Sequence, residues 1–179
     1  MSNQKIDLRK LIKDYSDFPK KGVVFRDINP LFRNEDAILQ ISKEFIHQDQ
    51  LNEIDLIAGI ESRGFTVASL LAANFKKGLI LIRKAGKLPG KTIQTDYEIE
   101  YGNATIELQV DAIKKGQRVL IADDLIATGG TAMASAKLIE NLGGVVFGFA
   151  FIIELDYLKG VKKLRDLGYN VQSLVKYSE

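Results

Sequence analysis

The sequence of 179 residues contains no cysteine and no tryptophan, and it has a single histidine, His47. Without cysteine the chain can form neither a disulfide framework nor a thiolate metal site, and it has no cysteine nucleophile. One histidine cannot make a histidine-rich metal centre. His47 stands among polar residues, so we interpret it as a surface residue.

Charge of one sign and long apolar runs are also scarce. The 25 basic and 23 acidic residues leave a net charge of +2, which is too small to indicate binding to nucleic acid or to a membrane surface. No apolar stretch approaches the ~20 residues that a membrane-spanning helix needs. Residues 1–15 carry a charge every few positions, unlike a signal peptide. We therefore expect a cytoplasmic protein that binds neither nucleic acid nor membrane.

What is present favours one folded domain over residues 1–179, since the length and the 46% hydrophobic content suffice for a single core. Continuously apolar segments predict buried strands at 54–60, 79–82, 118–123 and 145–153. Helices are predicted between them, at 64–75 and 131–142. This alternation predicts an α/β fold with a mostly parallel central sheet flanked by helices.

Two more helices are predicted nearer the N-terminus. The first is indicated by apolar residues at helical spacing, namely Ile6, Leu8, Leu11, Ile12 and Tyr15. Asn34 is the expected N-cap of the second helix, which carries Ile38, Ile41 and Phe45 on one face.

Between residues 83 and 103 the periodic patterns lapse, and charged residues, glycine and turn formers dominate. A stretch of ~20 residues without structure inside a compact domain is usually a functional lid. We therefore expect a flexible hood loop here. The alternation that follows predicts a half-buried strand at 105–110, with Ile106, Leu108 and Val110 on one face.

The segment "VLIADDLIATGG", residues 119–130, places two aspartates at the predicted end of a buried strand. In open parallel sheets, ligands bind outside the carboxyl ends of the strands. The turn that follows leaves backbone N–H groups free at a helix N-terminus, which is an anion site. Carboxylates followed by anion donors match a ribose 5-phosphate. The residues are Asp123 and Asp124 for the sugar hydroxyls, and Ala127, Thr128, Gly129, Gly130 and Thr131 for the phosphate.

The aspartate pair has other interpretations, as solvated loop charges or as direct metal ligands. Receiver domains also place acidic pairs at a strand end, but on the first strand, whereas this pair falls two-thirds along the chain. The loop matches neither a Walker A motif nor a G-x-G-x-x-G dinucleotide turn.

The slightly longer segment 119–131 resembles the phosphoribosyl pyrophosphate signature of type I phosphoribosyltransferases. The resemblance implies the fold of that family, the roles of the aspartates and the loop given above, and a homodimer. It also implies that Mg²⁺ is carried by the pyrophosphate and hydroxyls of the substrate rather than by protein ligands.

Four more stretches resemble the members of this family that act on adenine. They are the base-recognition segment at 18–32, the pyrophosphate loop at 59–65, the hood at 83–92 with 97–102, and the segment 151–160 that closes the base pocket. Five matches in order are specific. They imply a purine salvage enzyme that transfers the 5-phosphoribosyl group of phosphoribosyl pyrophosphate to adenine, giving AMP and pyrophosphate.

Adenine has flat apolar faces and hydrogen-bonding edges. Phe25 can stack on one face, and the resemblance places Leu155 on the other. The backbone of Val24 and Arg26 would read the edges. Without the matching segment, Phe25 is more simply interpreted as a core aromatic. Asp27 is expected to tie down the loop.

Pyrophosphate is a multiply charged leaving group, so its site should supply cations and backbone donors. The residues implied are Glu61 and Ser62 through their backbone, and Arg63, Arg83, Lys84 and Lys87 through their side chains. Lysines on a loop are more often solvated charges, but a run of basic residues on a closing loop suits an anion clamp. Which of the three hood residues reaches the partner's site in a homodimer stays open.

Three residues are predicted to be catalytic: Glu100 for proton handling, Tyr101 for holding the hood over the sugar, and Arg63. Glu100 is otherwise a surface glutamate, and Glu98 is its natural control. Two rival functions remain, a sensor of phosphoribosyl pyrophosphate without turnover and a hypoxanthine, guanine or xanthine transferase. A sensor usually adds a DNA-binding module, for which this chain has no spare length.

Overall fold

The computed structural model describes residues 5–45, 50–99 and 102–178, so Glu100, Tyr101 and His47 lie outside the described residues. The strands in chain order are β1 (Lys13–Ser16), β2 (Val24–Asp27), β3 (Leu56–Ile60), β4 (Gly78–Lys84), β5 (Thr92–Ile99), β6 (Gly102–Gln109), β7 (Arg118–Ile126), β8 (Val145–Leu155) and β9 (Val171–Tyr177). The helices are α1 (Asn29–Phe32), α2 (Glu35–Glu44), α3 (Gly64–Phe75), α4 (Gly130–Asn141) and α5 (Gly160–Asp166).

The central sheet has seven strands in the order β5-β6-β4-β3-β7-β8-β9. The five strands from β4 to β9 in this order are parallel, and β6 and β5 extend the β4 edge antiparallel. The prediction of a mostly parallel α/β sheet is thus confirmed. No helix among the described residues is both long and apolar enough to cross a membrane.

Helices cover both faces of the sheet because the buried strands are apolar on both sides. Leu120 and Ala122 of β7 pack in the core beneath α2 and α3, whereas Val119 and Ile121 pack in the core beneath α4 and α5. All four side chains are at most 3% exposed. Burying a large aliphatic side chain to this degree contributes roughly 1.5–3 kcal/mol, so both cores stabilise β7 and the residues at its carboxyl end.

The predicted helix starts and stops are confirmed at three places. Asn34 caps α2, because its side chain accepts a hydrogen bond from Ala37 N at 3.0 Å. Helix α3 spans the predicted segment 64–75. Helix α4 ends where Gly143 N donates to Glu140 O at 2.9 Å and Gly144 N to Ile139 O at 3.0 Å.

The predicted first helix is wrong. Only a short 3₁₀ turn forms at Leu8–Leu11, and the chain then extends as β1. Strand β1 pairs antiparallel with β2, with Tyr15 opposite Phe25. The apolar residues of this segment do not share a helix face, since Leu8 is 5% exposed and Tyr15 is 42% exposed. Antiparallel pairing with β2, across the connection at 17–23, has overridden a weak local pattern.

The segment predicted to lack structure is largely a β-hairpin. Strand β5 pairs with β6 over eight residues, from Thr92 opposite Gln109 to Ile99 opposite Gly102. The next predicted strand also needs correction, because Val110 lies outside β6 and is 41% exposed. Glu107, on the opposite side of the alternation, is only 2% exposed.

Candidate active site

The aspartate pair lies within the last residues of a strand rather than beyond its end, because β7 continues to Ile126. Asp124 is 5% exposed, and its backbone N donates to Asp123 Oδ1 at 2.8 Å. Burial raises the pKa of Asp123 well above the ordinary value, and the adjacent Asp124 carboxylate raises it further. Burial also raises the pKa of Asp124, against the opposing effect of Arg63. Ionising both carboxyl groups is therefore costly unless a donor or a cation offsets the charges.

One oxygen of this pair lacks a hydrogen-bond donor. Asp124 Oδ2 is buried and accepts no hydrogen bond from the described residues. The Nη2 atom of Arg63 lies 2.8 Å from it, but as an ion pair without hydrogen-bond geometry. A buried acceptor without a donor is costly, and a sugar hydroxyl would satisfy it.

Helix α3 begins in close contact with the aspartates. A Cβ atom on Gly64 would lie 2.6 Å from Asp123 Oδ1 and 3.0 Å from Ala122 O. No side chain fits there, so the glycine lets the start of α3 approach β7 directly. The close packing fixes the Asp123 carboxylate from behind.

The loop 127–131 joins β7 to α4 and lines a cavity of about 120 Å³ together with Asp123 and Phe151. Gly129 precedes the helix with a φ of 84°, a conformation that favours glycine. No side chain in the described part of the chain caps the helix, so the N–H groups of its first turn remain available as anion donors. The structure thus brings a carboxylate and an anion-binding helix terminus to one cavity.

Helix α5 supports this loop from outside, a feature that the sequence analysis missed. Gly160 N donates to Ala127 O at 3.1 Å. A Cβ atom on Gly160 would lie 2.3 Å from Ala127 O and 2.9 Å from Gly129 N. Lys163 Nζ adds a bond to Thr128 O at 3.3 Å. The signal was present as the glycine that ends the segment 151–160.

Arg63 connects the aspartates with the base-recognition segment. Its Nη2 atom approaches Asp124, and its Nη1 atom donates to Arg26 O at 3.2 Å. The guanidinium carbon lies 4.7 Å from the centroid of the Phe25 ring. Arg63 therefore lies over the aromatic ring that the sequence analysis placed against adenine.

The segment around Phe25 presents one aromatic ring and backbone groups toward Arg63. Phe25 is half-buried and packs edge-to-face on Phe18, with centroids 5.2 Å apart. The Arg26 side chain points elsewhere, since it pairs with Asp14 and lies 4.0 Å over the Tyr177 ring. Only its carbonyl faces Arg63, which agrees with the expectation of a backbone role for this residue.

Three other residues that were predicted to contact the base or to support the loop are Val24, Asp27 and Leu155. Val24 is 47% exposed. Asp27 accepts a hydrogen bond from Asn29 N at 2.9 Å, as expected of a residue that ties down the loop. Leu155 is half-buried at the end of β8, opposite Tyr177 of β9.

Glu61 and Arg83 form an ion pair at the end of β3. Arg83 Nε lies 3.1 Å from Glu61 Oε2, and Lys84 N donates to the same oxygen at 3.0 Å. Desolvation disfavours the Glu61 carboxylate, but these hydrogen bonds outweigh it and lower its pKa. Glu61 N donates to Ile82 O at 2.9 Å, so this amide is not free for an anion in the structure. The Glu61–Ser62 peptide is cis.

Lys84 and Lys87 are exposed, and neither ammonium forms an ion pair within the described part of the chain. The backbone N of Lys87 and that of Leu88 each donate to Glu107 Oε1 at 2.8 Å. The burial of Glu107 was not predicted, because the alternation of residues 105–110 places it on the solvent side. Among the described residues, no group of three or more acidic or histidine side chains is placed to hold a metal ion.

Comparisons with known proteins agree with this arrangement. A family model of the phosphoribosyl transferase domain matches residues 31–178. The fold and the site therefore define a phosphoribosyltransferase. The chain is 55% identical over 172 residues to the adenine phosphoribosyltransferase of Nitrosopumilus maritimus, covering 96% of this chain and 100% of the relative. At this similarity, the chain belongs to the adenine phosphoribosyltransferase family.

Solved structures of the same family are close in three dimensions. The crystal structure of adenine phosphoribosyltransferase from Rhodothermus marinus matches with a TM-score of 0.90 at 42% identity, covering 95% of this chain and 96% of that one. The enzyme from Saccharomyces cerevisiae, complexed with an imino-altritol bisphosphate and adenine, matches with a TM-score of 0.84 at 39% identity, covering 94% and 96%.

Proposed function

We propose that this protein is a purine salvage enzyme that transfers the 5-phosphoribosyl group of phosphoribosyl pyrophosphate to adenine, producing AMP and pyrophosphate. One observation carries the proposal: Asp123 and the N-terminus of α4 face the same small cavity, so one ligand can meet a carboxylate and an anion site together. A phosphorylated sugar has hydroxyls for the first and a phosphate for the second.

The sugar and its phosphate occupy the carboxyl end of β7 in this proposal. Asp123 and Asp124 accept the ribose hydroxyls, and the buried Asp124 Oδ2 gains the donor that it lacks. The 5-phosphate binds the backbone of the loop Ala127, Thr128, Gly129, Gly130 and Thr131. Support for this orientation comes from the helix dipole, since a phosphate is stabilised at the N-terminal end of α4.

Adenine then lies between Phe25 and Leu155, with its edges read by the backbone of Val24 and Arg26. Arg63 covers the Phe25 ring in the free protein and donates to Arg26 O, a contact that an exocyclic amine of the base could replace. Arg63 moves to the leaving group when the substrates bind, because pyrophosphate offers its guanidinium more negative charge than Asp124 alone does.

The pyrophosphate site comprises the backbone of Glu61 and Ser62 and the side chains of Arg63, Arg83, Lys84 and Lys87. The Glu61 amide can take part only after it leaves Ile82 O, to which it donates in the free protein. In the reaction, an imidazole nitrogen of adenine gives its electron pair to the anomeric carbon, and the bond from that carbon to pyrophosphate breaks. Carboxylates beside the cation-like sugar and cations beside the departing oxygen stabilise this change. Glu100 handles the proton that the imidazole ring loses, and Tyr101 holds the hood in place.

Magnesium fits the donor set without a dedicated protein cage. Mg²⁺ keeps several waters and commonly binds one or two carboxylates together with substrate phosphates. Asp123 and Asp124 would act on the ion through the ribose hydroxyls that they bind, not as its ligands. Bound there through the ribose hydroxyls and the pyrophosphate, Mg²⁺ would neutralise part of the leaving-group charge.

The proposal includes three further features of the protein. It acts as a single domain, in the cytoplasm, and as a homodimer in which a basic hood residue reaches toward the partner's site. Analytical ultracentrifugation of the purified protein, with and without phosphoribosyl pyrophosphate, measures the assembly directly.

A panel of purine bases tests the activity. Purified protein with Mg²⁺ and phosphoribosyl pyrophosphate is offered adenine, hypoxanthine, guanine and xanthine in turn, and nucleotide and pyrophosphate are measured. We expect equimolar AMP and pyrophosphate with adenine and little product with the oxo-purines. Product from an oxo-purine but not from adenine would assign the protein to another purine. A thermal shift with phosphoribosyl pyrophosphate but no product from any base would favour a sensor.

A further inference from the structure

Two carboxylates hold the basic segment 83–88 from opposite ends. Glu61, at the end of β3, accepts from the Arg83 side chain at 3.1 Å and from Lys84 N at 3.0 Å. Glu107, on β6, accepts from Lys87 N and Leu88 N at 2.8 Å each. Both acidic side chains bind mainly backbone or guanidinium donors, so the ammonium groups of Lys84 and Lys87 stay exposed.

Of the two carboxylates, Glu107 accepts more hydrogen bonds from this backbone segment. Its second oxygen accepts from Thr92 Oγ1 at 3.2 Å and from Gln94 Nε2 at 3.3 Å. Desolvation opposes its ionisation, but bonds from Leu88 N, Lys87 N and Gly86 N outweigh this and lower its pKa to about 2. No Lys or Arg within the described ranges forms an ion pair with it. One oxygen of this buried charge is satisfied by the turn amides, and the other by Thr92 and Gln94 of β5, so Glu107 fixes the turn against the hairpin.

Lys87 is held at both of its peptide groups. Its N–H donates to Glu107, and its carbonyl accepts from Arg83 Nη1 at 2.9 Å. Arg83 in turn lies directly opposite Glu107 in the antiparallel register of β4 and β6. Backbone freedom at Lys87 is thus removed by two polar contacts, while its side chain remains on the surface.

We propose that Glu107 is a positioning residue for the pyrophosphate site, which fixes the turn at 86–88 so that the Lys87 ammonium faces the leaving group. The inference rests on the proposed function, since it needs phosphoribosyl pyrophosphate as the ligand. Glu107 itself touches no reacting atom. It acts through the backbone of Lys87 and Leu88.

The direction in which substrate binding changes when Glu107 is replaced distinguishes a positioning role from simple charge repulsion. Phosphoribosyl pyrophosphate is strongly anionic, so a carboxylate within about a Debye length of it weakly opposes its binding. Removing the Glu107 charge would strengthen substrate binding if charge alone mattered. If Glu107 positions the turn, removing it weakens binding, because the cation is no longer held where the leaving group needs it.

Steady-state kinetics of Glu107→Leu and Glu107→Gln test the proposal. We expect Glu107→Leu to raise the KM for phosphoribosyl pyrophosphate by about tenfold or more, with the KM for adenine changed less than about twofold. Glu107→Gln keeps one oxygen for the two backbone donors but loses the charge that strengthens those bonds, so we expect roughly a threefold rise. Asp96→Asn is the matched control, because Asp96 accepts a threonine hydroxyl on the same hairpin at 2.6 Å and lies on an exposed position. It should leave both KM values unchanged.

A double-mutant cycle shows whether the effect passes through Lys87. If it does, Glu107→Gln and Lys87→Ala combined should raise the KM for phosphoribosyl pyrophosphate no further than Lys87→Ala alone. Additive effects, an unchanged or lower KM, or an equal rise in the KM for adenine would each overturn the proposal. The Gln variant preserves the test if the Leu variant fails to fold. Wild-type protein that forms no AMP would instead contradict the proposed function itself.

Discussion

The guanidinium carbon of Arg63 lies 4.7 Å from the centroid of the Phe25 ring, and the Nη2 atom of the same group lies 2.8 Å from Asp124 Oδ2. One side chain thus covers the proposed base-stacking surface and offsets the proposed sugar carboxylate at the same time. In the proposed function, adenine and Arg63 would compete for the Phe25 ring. Pyrophosphate would end this competition by drawing the guanidinium away, so bound phosphoribosyl pyrophosphate would prepare the site for adenine.

Replacing Arg63 with alanine should therefore change the affinities for the two substrates in opposite directions. A cation over an aromatic ring is worth about 0.5–2 kcal/mol, so freeing Phe25 should strengthen adenine binding to the free protein by roughly two- to thirtyfold. The KM for phosphoribosyl pyrophosphate should rise by about tenfold or more, because a charge-assisted contact with the leaving group is lost. Isothermal titration with adenine alone and steady-state kinetics measure the two effects.

Arg118→Ala serves as the control for this change. Arg118 also lies over an aromatic ring, 5.2 Å from the centroid of Phe147, and pairs with Glu53 away from the site. Its loss should alter neither adenine binding nor the KM for phosphoribosyl pyrophosphate. Weaker adenine binding by Arg63→Ala would show that Arg63 assists the base rather than competing with it.

The buried aspartate pair should make the stability of the free protein depend on pH. Burial and the neighbouring Asp124 raise the pKa of Asp123 above its ordinary value of 3.8, while Arg63 opposes the shift. A group whose pKa is raised on folding gives its full stability below the unfolded pKa and loses it as the pH rises through the folded value. We expect Asp123→Asn to be more thermostable than wild type at pH 8, with the difference shrinking toward pH 4.

Thermal unfolding at several pH values measures this difference. For a chain of this length, 1 kcal/mol corresponds to roughly 2–4 °C in Tm, so the effect is within reach of ordinary calorimetry. Asp111→Asn removes the same charge from an exposed position and should show no such trend. A Tm gain for Asp123→Asn that is equally large at pH 4 would mean that ionisation of Asp123 is not its cause.

The sequence predicted the elements whose pattern is local. Continuous apolar runs marked the strands, and Asn34 and the pair Gly143 and Gly144 marked helix ends, because caps and periodicity depend on a few neighbouring residues. The doublet Asp123 and Asp124 was likewise readable, since a polar pair at the end of a buried run is conspicuous. These predictions required no knowledge of distant contacts.

Elements that depend on partners outside their own segment were missed or misread. Strand β1 forms because residues 24–27 pair with it, and nothing in residues 6–15 reveals that partner. Strand β5 has a polar exposed face, with Gln94 and Asp96, and so resembles a loop. The burial of Glu107 is set by turn amides some twenty residues earlier in the chain, and a sequence pattern cannot show it.

Gly160 lies outside the cavity but contacts the loop 127–131, the proposed phosphate site, so its replacement should affect substrate binding. Alanine at this position would place a Cβ atom 2.3 Å from Ala127 O and 2.9 Å from Gly129 N. Both are backbone atoms of the loop, so the loop or the start of α5 must shift. Since a displacement of about 1 Å can cost as much as a hundredfold, we expect Gly160→Ala to raise the KM for phosphoribosyl pyrophosphate by at least about tenfold and to weaken AMP binding.

Lys162→Ala is the control in the same helix. Lys162 forms an exposed ion pair with Asp166, one turn away, and an exposed pair of this kind contributes little to stability. Its kinetics should equal those of wild type. A Gly160→Ala variant with wild-type affinity for AMP would mean that α5 does not determine the shape of the phosphate loop.

The hood contains two glutamates, Glu98 and Glu100, two positions apart. Glu98 therefore provides a nearby control for the proposed proton transfer to Glu100. Glu100→Gln preserves size and polarity but cannot accept the imidazole proton, so we expect turnover to fall by ~100-fold or more while both KM values change little. Glu98→Gln removes the same charge two positions earlier and should retain turnover. Rapid-quench measurement of AMP in a single turnover separates chemistry from product release. Equal losses in both variants would attribute the effect to hood charge, and an undiminished rate in Glu100→Gln would remove Glu100 from the mechanism.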